Sequence, residues 1–196
     1  MKITVTLFLL GILSFRGLAQ EMKQELVLDT LHGWRTELMK FPLDFAPEIN
    51  IQGIEDIRFA PGWSKKEAID FWTYKFAWML DSELPFDSKQ LEGTLYLYFN
   101  GLAKAVAKGK SFDINKITPP RVQLQAQNGD INSFVGSIDF WDTFFTQATI
   151  HLNLKVKKLY CSQRKKYLMV FEFSPQPFEH QEWINMAKIG TIDECH

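Results

Sequence analysis

Alternating aromatic residues form the strongest hydrophobic pattern of the chain, in the stretch between Ile54 and Leu80. In its second half every other side chain is large and apolar: Trp72, Tyr74, Phe76, Trp78 and Leu80. A period of two is typical of a strand with one buried face. Spacings of three and four also fit a helix here, but the abundance of Phe, Trp, Tyr and Thr favours the strand. We predict a strand over residues 71–80, preceded by a short helical turn over residues 64–68.

The first half of the same stretch predicts another strand, which places acids beside a base. Ile57 and Phe59 alternate with Asp56 and Arg58. Together with Glu55, these charged residues could supply an acid, a base and an electrophile. Same-face neighbours of opposite charge more often form a surface ion pair, which is worth roughly 0 to 1 kcal/mol. We expect that structural role for Asp56 and Arg58.

A period near 3.6 appears further along the chain and predicts a helix. Six apolar residues recur at spacings of four, three, one, three and four: Leu91, Leu95, Tyr98, Phe99, Leu102 and Val106. Asp87 can cap the start, with Gln90 three residues later, and Gly109 can end the helix. Gly93 and Gly101 would each cost about 1 kcal/mol relative to Ala inside a helix. We therefore expect close packing against the sheet at both glycines.

Two hairpins are predicted in the second half of the chain. Alternation from Arg121 leads into Asn128-Gly129, which is a strong turn signal. A three-residue loop with Gly129 in the left-handed conformation would keep the apolar faces of both strands together. Residues 149–161 and 167–173 form the second pair of strands.

The remaining segments complete the fold prediction. Residues 35–41 alternate as a first strand, after a polar segment over residues 20–30 that we expect to fray. A short C-terminal helix carries an apolar stripe formed by His180, Trp183, Ile184 and Ala187. We predict an α+β fold in one domain over residues 20–196: an antiparallel sheet of about seven strands with two helices packed against it.

The N-terminus has the pattern of a secretory signal peptide over residues 1–19. Lys2 precedes an apolar run too short to span a bilayer, and the small residues Gly17 and Ala19 predict cleavage after residue 19. No later run is long enough to cross a membrane, so we predict an exported protein, periplasmic or extracellular. Cleavage removes Lys2 and Arg16 of 22 basic residues and leaves 20 against 23 acidic ones. This balance argues against nucleic acid as a partner.

The two cysteines, Cys161 and Cys195, both lie in the predicted exported part. Oxidising conditions favour a disulfide there, and two cysteines allow only one pairing. The bond would tie the C-terminal tail to the second hairpin.

The sequence contains none of the common motifs of hydrolytic, zinc or thiol-redox sites. Asp139 and Asp142 could act as paired carboxylates in catalysis, although solvated loop acids are the commoner case. None of the four histidines is spaced with a second ligand, so we predict no metal and no other cofactor. Asp139 and Asp142 are the candidates for catalysis only by default.

The second hairpin concentrates six cations near its tip: Lys155, Lys157, Lys158, Arg164, Lys165 and Lys166. Such a tip could bind an anionic envelope polymer or a lipid head group. The alternative is an edge hairpin that its lysines keep from aggregating, and this structural interpretation is the commoner one.

Two short motifs carry a resemblance to known sequences. They are E-D-I-R-F-A-P-G-W at Glu55 to Trp63 and F-S-P-Q-P at Phe173 to Pro177, followed by a Trp in the next helix and a Cys near the end. The chain resembles uncharacterised exported proteins of Bacteroidetes-type bacteria. The resemblance implies a strand over residues 71–80 and helices starting at Asp87 and Glu179, and it implies no activity.

Two functional classes follow from these observations. The first is a non-catalytic binding or accessory module of the cell envelope, favoured because strong core and turn signals accompany no catalytic motif. The second is a hydrolase of envelope or extracellular material. For a binding protein, the expected surfaces are the basic hairpin and any cleft lined by Trp63, Trp141 and neighbouring aromatic residues.

Overall fold

The computed structural model describes residues 26–83, 86–192 and 195. The predicted signal peptide over residues 1–19 lies outside this part of the chain. The described chain forms two α-helices, α1 (Ser88–Gly109) and α2 (Gln181–Ala187), and a 3₁₀ turn at Ile114–Lys116. Its seven strands are β1 (Arg35–Lys40), β2 (Gly53–Phe59), β3 (Tyr74–Leu80), β4 (Arg121–Gln127), β5 (Asp130–Asp142), β6 (Ala148–Cys161) and β7 (Lys166–Ser174).

All seven strands belong to one antiparallel sheet in the order β1-β2-β3-β7-β6-β5-β4. The first three strands form a meander, α1 follows, and β4 to β7 form a second meander. The second meander returns so that β7 pairs with β3. The predicted α+β fold, with its antiparallel sheet of seven strands and two helices, is confirmed.

The face of the sheet that α1 covers carries the larger hydrophobic cluster. Tyr74 and Phe76 on β3 lie beside Phe171 and Phe173 on β7. The ring centroids of Phe76 and Phe171 are 4.6 Å apart, and those of Tyr74 and Phe173 are 4.9 Å apart. Aromatic pairs at such distances stabilise beyond the area they bury. Strand β3 therefore forms the centre of the core, as the alternation predicts.

Residues 60–73 form a series of tight turns before β3. Trp72 has a left-handed backbone (φ 52°) and donates its backbone N–H to the carbonyl of Trp63 at 3.1 Å. Strand β3 consequently begins at Tyr74, later than predicted, and the predicted helical turn over residues 64–68 is part of the turn series. The side chain of Trp72 is nevertheless buried in the same cluster as Tyr74.

Helix α1 begins with the predicted cap. The Asp87 carboxylate accepts from the backbone N–H of Gln90 at 2.8 Å, and the Gln90 side chain accepts from that of Asp87 at 3.1 Å. A close approach occurs at Gly101, but to a loop instead of the sheet: a Cβ there would lie 2.0 Å from the carbonyl of Phe45, between β1 and β2. Gly93 has open space beside it, so the predicted contact with the sheet there is wrong.

The opposite face of the sheet is also covered, which the one-sided pattern did not predict. Residues 26–31 and the segment after α2 lie over it, and Leu28 and Ile189 join Ala77 and Val170 in a second hydrophobic cluster. Every residue of β3 is buried as a result. The fraying expected of the N-terminal segment is wrong for its described residues, since Leu28 is fully buried.

A buried ion pair holds the N-terminal segment against this second face. Asp56 and Arg58 are both fully buried and bond each other. The Asp56 carboxylate accepts from the backbone N–H groups of Val27 at 2.8 Å and Leu28 at 2.9 Å. The Arg58 guanidinium donates to the carbonyls of Leu28 and Asp29. The ion pair is therefore not on the surface as predicted, because the N-terminal segment covers it.

The first hairpin has a two-residue loop instead of the predicted three-residue loop. Asn128 and Gly129 both have positive φ angles, 53° and 78°, as a type I′ turn requires. A register shift beyond the loop then aligns Ala126 with Phe134. This bulge restores the match between apolar faces that we had attributed to the loop.

Helix α2 differs from the predicted amphipathic helix. His180 precedes it as the N-cap, and its Nδ1 accepts from the backbone N–H of Glu182 at 3.3 Å. Ile184 is 54% exposed, whereas Trp183 and Met186 are buried. The predicted stripe through His180 and Ile184 is wrong, because this short helix packs through a different face.

The predicted disulfide between Cys161, at the end of β6, and Cys195 is confirmed. Both half-cystines belong to the second hydrophobic cluster. A disulfide is compatible with export to an oxidising compartment. In the part of the chain that the structure describes, no helix has the length and apolar character needed to cross a membrane.

Removing one partner of the buried ion pair is expected to destabilise the protein strongly. Arg58→Met should lower the free energy of unfolding by about 3 to 5 kcal/mol, because Asp56 then remains buried without its counter-charge. Urea unfolding measures the loss. Asp139→Asn is the control, since the ion pair of Asp139 with His151 is about half exposed, and it should cost less than about 1 kcal/mol. Equal losses in the two variants would contradict the interpretation.

Reduction of the disulfide is expected to lower the free energy of unfolding by roughly 3 to 4 kcal/mol, because the bond closes a loop of about 35 residues in the unfolded chain. The measurement is the urea midpoint with and without reducing agent. Cys161→Ala and Cys195→Ala should each show the reduced midpoint and no further response to reductant. A wild-type midpoint that reductant leaves in place would overturn this prediction.

Candidate functional site

A half-open cavity lies on the face of the sheet that α1 covers, and we call it the aromatic cavity. It has a volume of about 290 Å³ and seven aromatic lining residues: Phe45, Phe59, Trp63, Trp72, Tyr74, Tyr98 and Phe144. Four aliphatic side chains complete most of the wall: Met39, Ile57, Leu102 and Val106. Among the described residues of the lining, Glu37 is the one with a charged side chain. Two depressions of similar volume elsewhere are more open and include lysines.

Several distant segments position the wall of the aromatic cavity. Strand alternation places Phe59 and Tyr74 on the same face of β2 and β3, where they pair. The turns before β3 add Trp63 and Trp72, whose ring centroids are 5.1 Å apart. The carboxylate of Asp70 accepts from the backbone N–H of Gly62 at 2.7 Å and closes this loop. The wall is therefore held by packing and backbone bonds.

Glu55 lies on β2 directly behind this wall and is fully buried. Its carboxyl group bonds the Tyr98 hydroxyl at 2.6 Å and accepts from the Trp78 indole N–H at 3.0 Å. Burial raises the pKa of Glu55 from 4.5 to about 8, although the bonds to Tyr98 and Trp78 oppose the shift, and nearby Glu37 adds to it. Glu55 is therefore mainly neutral at pH 7.

The two tyrosines of the wall respond to the same surroundings. Burial, followed by the charge of nearby Glu55, raises the pKa of both Tyr74 and Tyr98 well above the ordinary value. Both hydroxyls therefore keep their protons throughout the physiological range. Around neutral pH, Tyr74, Tyr98 and most of Glu55 are therefore uncharged. The acid Glu37 lies at the cavity lining.

Two indole groups of the wall have an unused donor. The Nε1 atoms of Trp63 and Trp72 are buried and have no hydrogen-bond partner among the described residues. A buried donor without an acceptor costs about 1 to 3 kcal/mol. Both atoms are shielded from solvent, so the surface that the cavity presents to a bound molecule is mainly apolar and aromatic.

A positive side chain lies over two rings of the cavity. The Arg35 guanidinium carbon is 5.4 Å from the centroid of Phe59 and 5.5 Å from that of Trp63. Arg35 is exposed at the start of β1, two residues before Glu37 on the same face of the strand. A base and an acid thus flank the same group of rings.

The predicted carboxylate pair is not brought together. Asp139 and Asp142 point to opposite faces of β5, because successive side chains of a strand alternate. Asp142 is fully buried and accepts from the backbone N–H groups of the next turn, such as Thr146 at 2.8 Å. Asp139 instead contacts Nδ1 of His151 at 2.7 Å on the opposite face of β5, where both side chains are about half exposed.

The six cations of the basic hairpin do not form one patch. Lys155 and Lys158 point to opposite faces of β6. Lys155 lies 4.7 Å from the ring centroid of Trp183, and Lys158 donates to the carbonyl of Phe86 at 3.1 Å. Lys166, directly after the turn of the hairpin, forms an ion pair with Asp81. Lys157, Arg164 and Lys165 complete the predicted set at the hairpin. Members of the set such as Lys155, Lys158 and Lys166 are therefore engaged within the protein.

The expected aromatic cleft forms only in part. Trp63 lines the aromatic cavity, whereas Trp141 does not. The ring centroid of Trp141 lies 6.3 Å from that of Phe112. The burial of Glu55 was not predicted, because Glu55 was considered only together with the charged residues Asp56 and Arg58. The signal was present, since Glu55 shares its face with Ile57 and Phe59, and an acid in the apolar phase of a strand is an informative exception.

The raised pKa of Glu55 predicts that stability falls as pH rises. Between pH 4.5 and about 8 the folded protein holds a proton that the unfolded chain has released, so the free energy of unfolding decreases over this window. The slope from this group reaches about 1.4 kcal/mol per pH unit. Glu55→Gln should remove that slope, because the amide keeps the shape of the neutral acid without titrating.

Urea unfolding from about pH 5 to about pH 8 measures this difference. Glu67→Gln, at an exposed position, is the matched control and should keep the wild-type slope. If wild type and Glu55→Gln give parallel profiles, Glu55 does not titrate in this window.

Comparison with known proteins adds no role for this site, because no family model, no curated protein and no solved structure matches the chain. The role of the site is therefore argued from its geometry. That geometry combines an aromatic cavity with a buried carboxyl group that is neutral near pH 7.

Proposed function

We propose that this protein is an exported binding module, without catalysis, that takes a small and largely apolar ligand into the aromatic cavity. One observation carries the proposal: seven aromatic side chains line a preformed cavity of about 290 Å³. Sites for small molecules are typically concave and mostly apolar, with volumes from about 300 Å³ upward and a few placed polar groups. The Glu37 carboxylate at the lining is such a group.

The chemistry of the lining supports binding over catalysis. The ionisable side chains among its described residues are Glu37, Tyr74 and Tyr98. Tyr98 bonds the Glu55 carboxyl group, but that group is mainly neutral near pH 7 and so is poorly suited to activate the hydroxyl as a nucleophile. Glu55 is enclosed behind the wall and bonded to Tyr98 and Trp78. An acid in that position shapes the electrostatics of the cavity without reaching a bound molecule.

A hydrolase acting on envelope or extracellular material is the alternative, and the contact between Asp139 and His151 at 2.7 Å favours it. A carboxylate can orient a histidine as a general base. However, both side chains are about half exposed, and among the described residues no hydroxyl or thiol group bonds the His151 ring. The dyad therefore has less structural support than the cavity.

The cell envelope is the proposed place of action. The predicted signal peptide and the disulfide between Cys161 and Cys195 both support export. An anionic envelope component remains a hypothesis for the basic hairpin, whose turn contains Arg164 and Lys165 and whose strand β6 carries Lys157. It has weaker support than the cavity, because Lys155, Lys158 and Lys166 contact groups of the protein itself.

Filling the cavity should abolish ligand binding. We expect the neutral fluorescent probe N-phenyl-1-naphthylamine to bind the wild-type protein saturably. Leu102→Trp places a large side chain in the wall of the cavity and should weaken this binding by about 10- to 100-fold, since overpacking costs about 1 to 3 kcal/mol. Tyr96→Trp, at an exposed position on the same helix, is the matched control and should bind as the wild type does.

Fluorescence titration gives the affinity, and circular dichroism checks that the variants fold. Saturable binding that survives Leu102→Trp would place the ligand elsewhere. A wild-type protein that binds no member of a panel of apolar probes would contradict the proposed function.

A further inference from the structure

We propose that the ligand of the aromatic cavity is an organic cation, an ammonium group with apolar substituents, that binds over the rings of Phe59 and Trp63. This inference rests on the proposed function and names the chemical class of its ligand. Three features support it: the lining rings, the sign of the charges around them, and the position of Arg35.

The rings supply the first attraction. The faces of aromatic rings carry negative potential, and sets of several rings bind ammonium groups in many proteins. Phe59 and Trp63 have centroids 4.5 Å apart, and Trp63 and Trp72 have centroids 5.1 Å apart. A single bound group can therefore contact several rings of this cluster.

The charged residue of the cavity lining has the sign that a cation requires. Among the described lining residues Glu37 is the one that carries a charge, and none of them is a lysine, arginine or histidine. An anionic ligand would meet the Glu37 carboxylate, whereas a cation would be attracted by it.

Arg35 shows that two of the lining rings already attract a cation, although Arg35 itself is not among the lining residues. Its guanidinium lies within 5.5 Å of the centroids of Phe59 and Trp63, two rings that also line the cavity. Arg35 belongs to an exposed part of β1, so its side chain can turn toward solvent when a ligand enters. The arginine would then compete with the bound cation, and removal of its charge should tighten binding.

A matched pair of probes tests the inference. Phenyltrimethylammonium and tert-butylbenzene have the same shape and differ in a positive nitrogen for a neutral carbon. Each is titrated against the full chain without its signal peptide, with displacement of N-phenyl-1-naphthylamine as the readout. We expect the cation to bind about tenfold more tightly than the hydrocarbon.

Charge variants identify the groups responsible. Glu37→Gln should weaken binding of the cation by about three- to fivefold and leave the hydrocarbon unchanged. Arg35→Met removes the positive charge, keeps an unbranched side chain and should tighten cation binding by a similar factor. Glu67→Gln changes the net charge equally at an exposed position and is the control.

Equal affinities for the two probes would overturn the cationic ligand and leave the binding cavity in place. Failure of both to displace a bound N-phenyl-1-naphthylamine would overturn the cationic ligand as well. The proposed function fails separately, if no apolar probe binds the wild-type protein at all. Tighter binding of the cation that depends on Glu37 and Arg35 supports the inference.

Discussion

Burial of β3 on both faces is the constraint on which the rest of this structure depends. One face carries the aromatic residues that pack under α1, and the other carries Ala77 and Met79. A strand covered on only one side would leave that second face in water. The N-terminal segment, the tail after α2 and the disulfide all serve to cover it. Both ends of the described chain are therefore part of the core.

Strands β2 and β3 bury charged side chains as well as apolar ones, and removing a charge from water costs free energy. This protein compensates that cost in three ways. Asp56 and Arg58 pair and bond the backbone of the N-terminal segment. Lys75 donates to Glu172 at 2.9 Å and to the carbonyl of Ile189 at 2.8 Å, and so holds the C-terminal segment. Glu55 has no cationic partner in the part of the chain that the structure describes, and burial keeps it mainly neutral. A buried charge needs compensation or loses its charge, and both outcomes occur within this sheet.

The aromatic cavity follows from the same arrangement. Wide rings at alternate positions of β2 and β3 cannot be covered completely by a single helix, and the turns before β3 only partly close the gap. The remaining space is bordered by rigid side chains and by Glu37. A preformed site needs little ordering on binding, which favours affinity, and the rings and the acid together explain why a cation is the ligand we propose.

The sequence by itself determined the elements with strong local patterns: the seven antiparallel strands, the cap of α1 at Asp87 and the single possible disulfide. Only the tertiary structure decided which faces are covered. The Asp56 carboxylate is covered by Val27 and Leu28, which precede it in the chain by 29 and 28 positions. Glu55 bonds Tyr98, which follows it by 43 positions. Periodicity reports which face of an element is apolar, but the segment that covers a polar face is chosen by long-range packing, which no local pattern records.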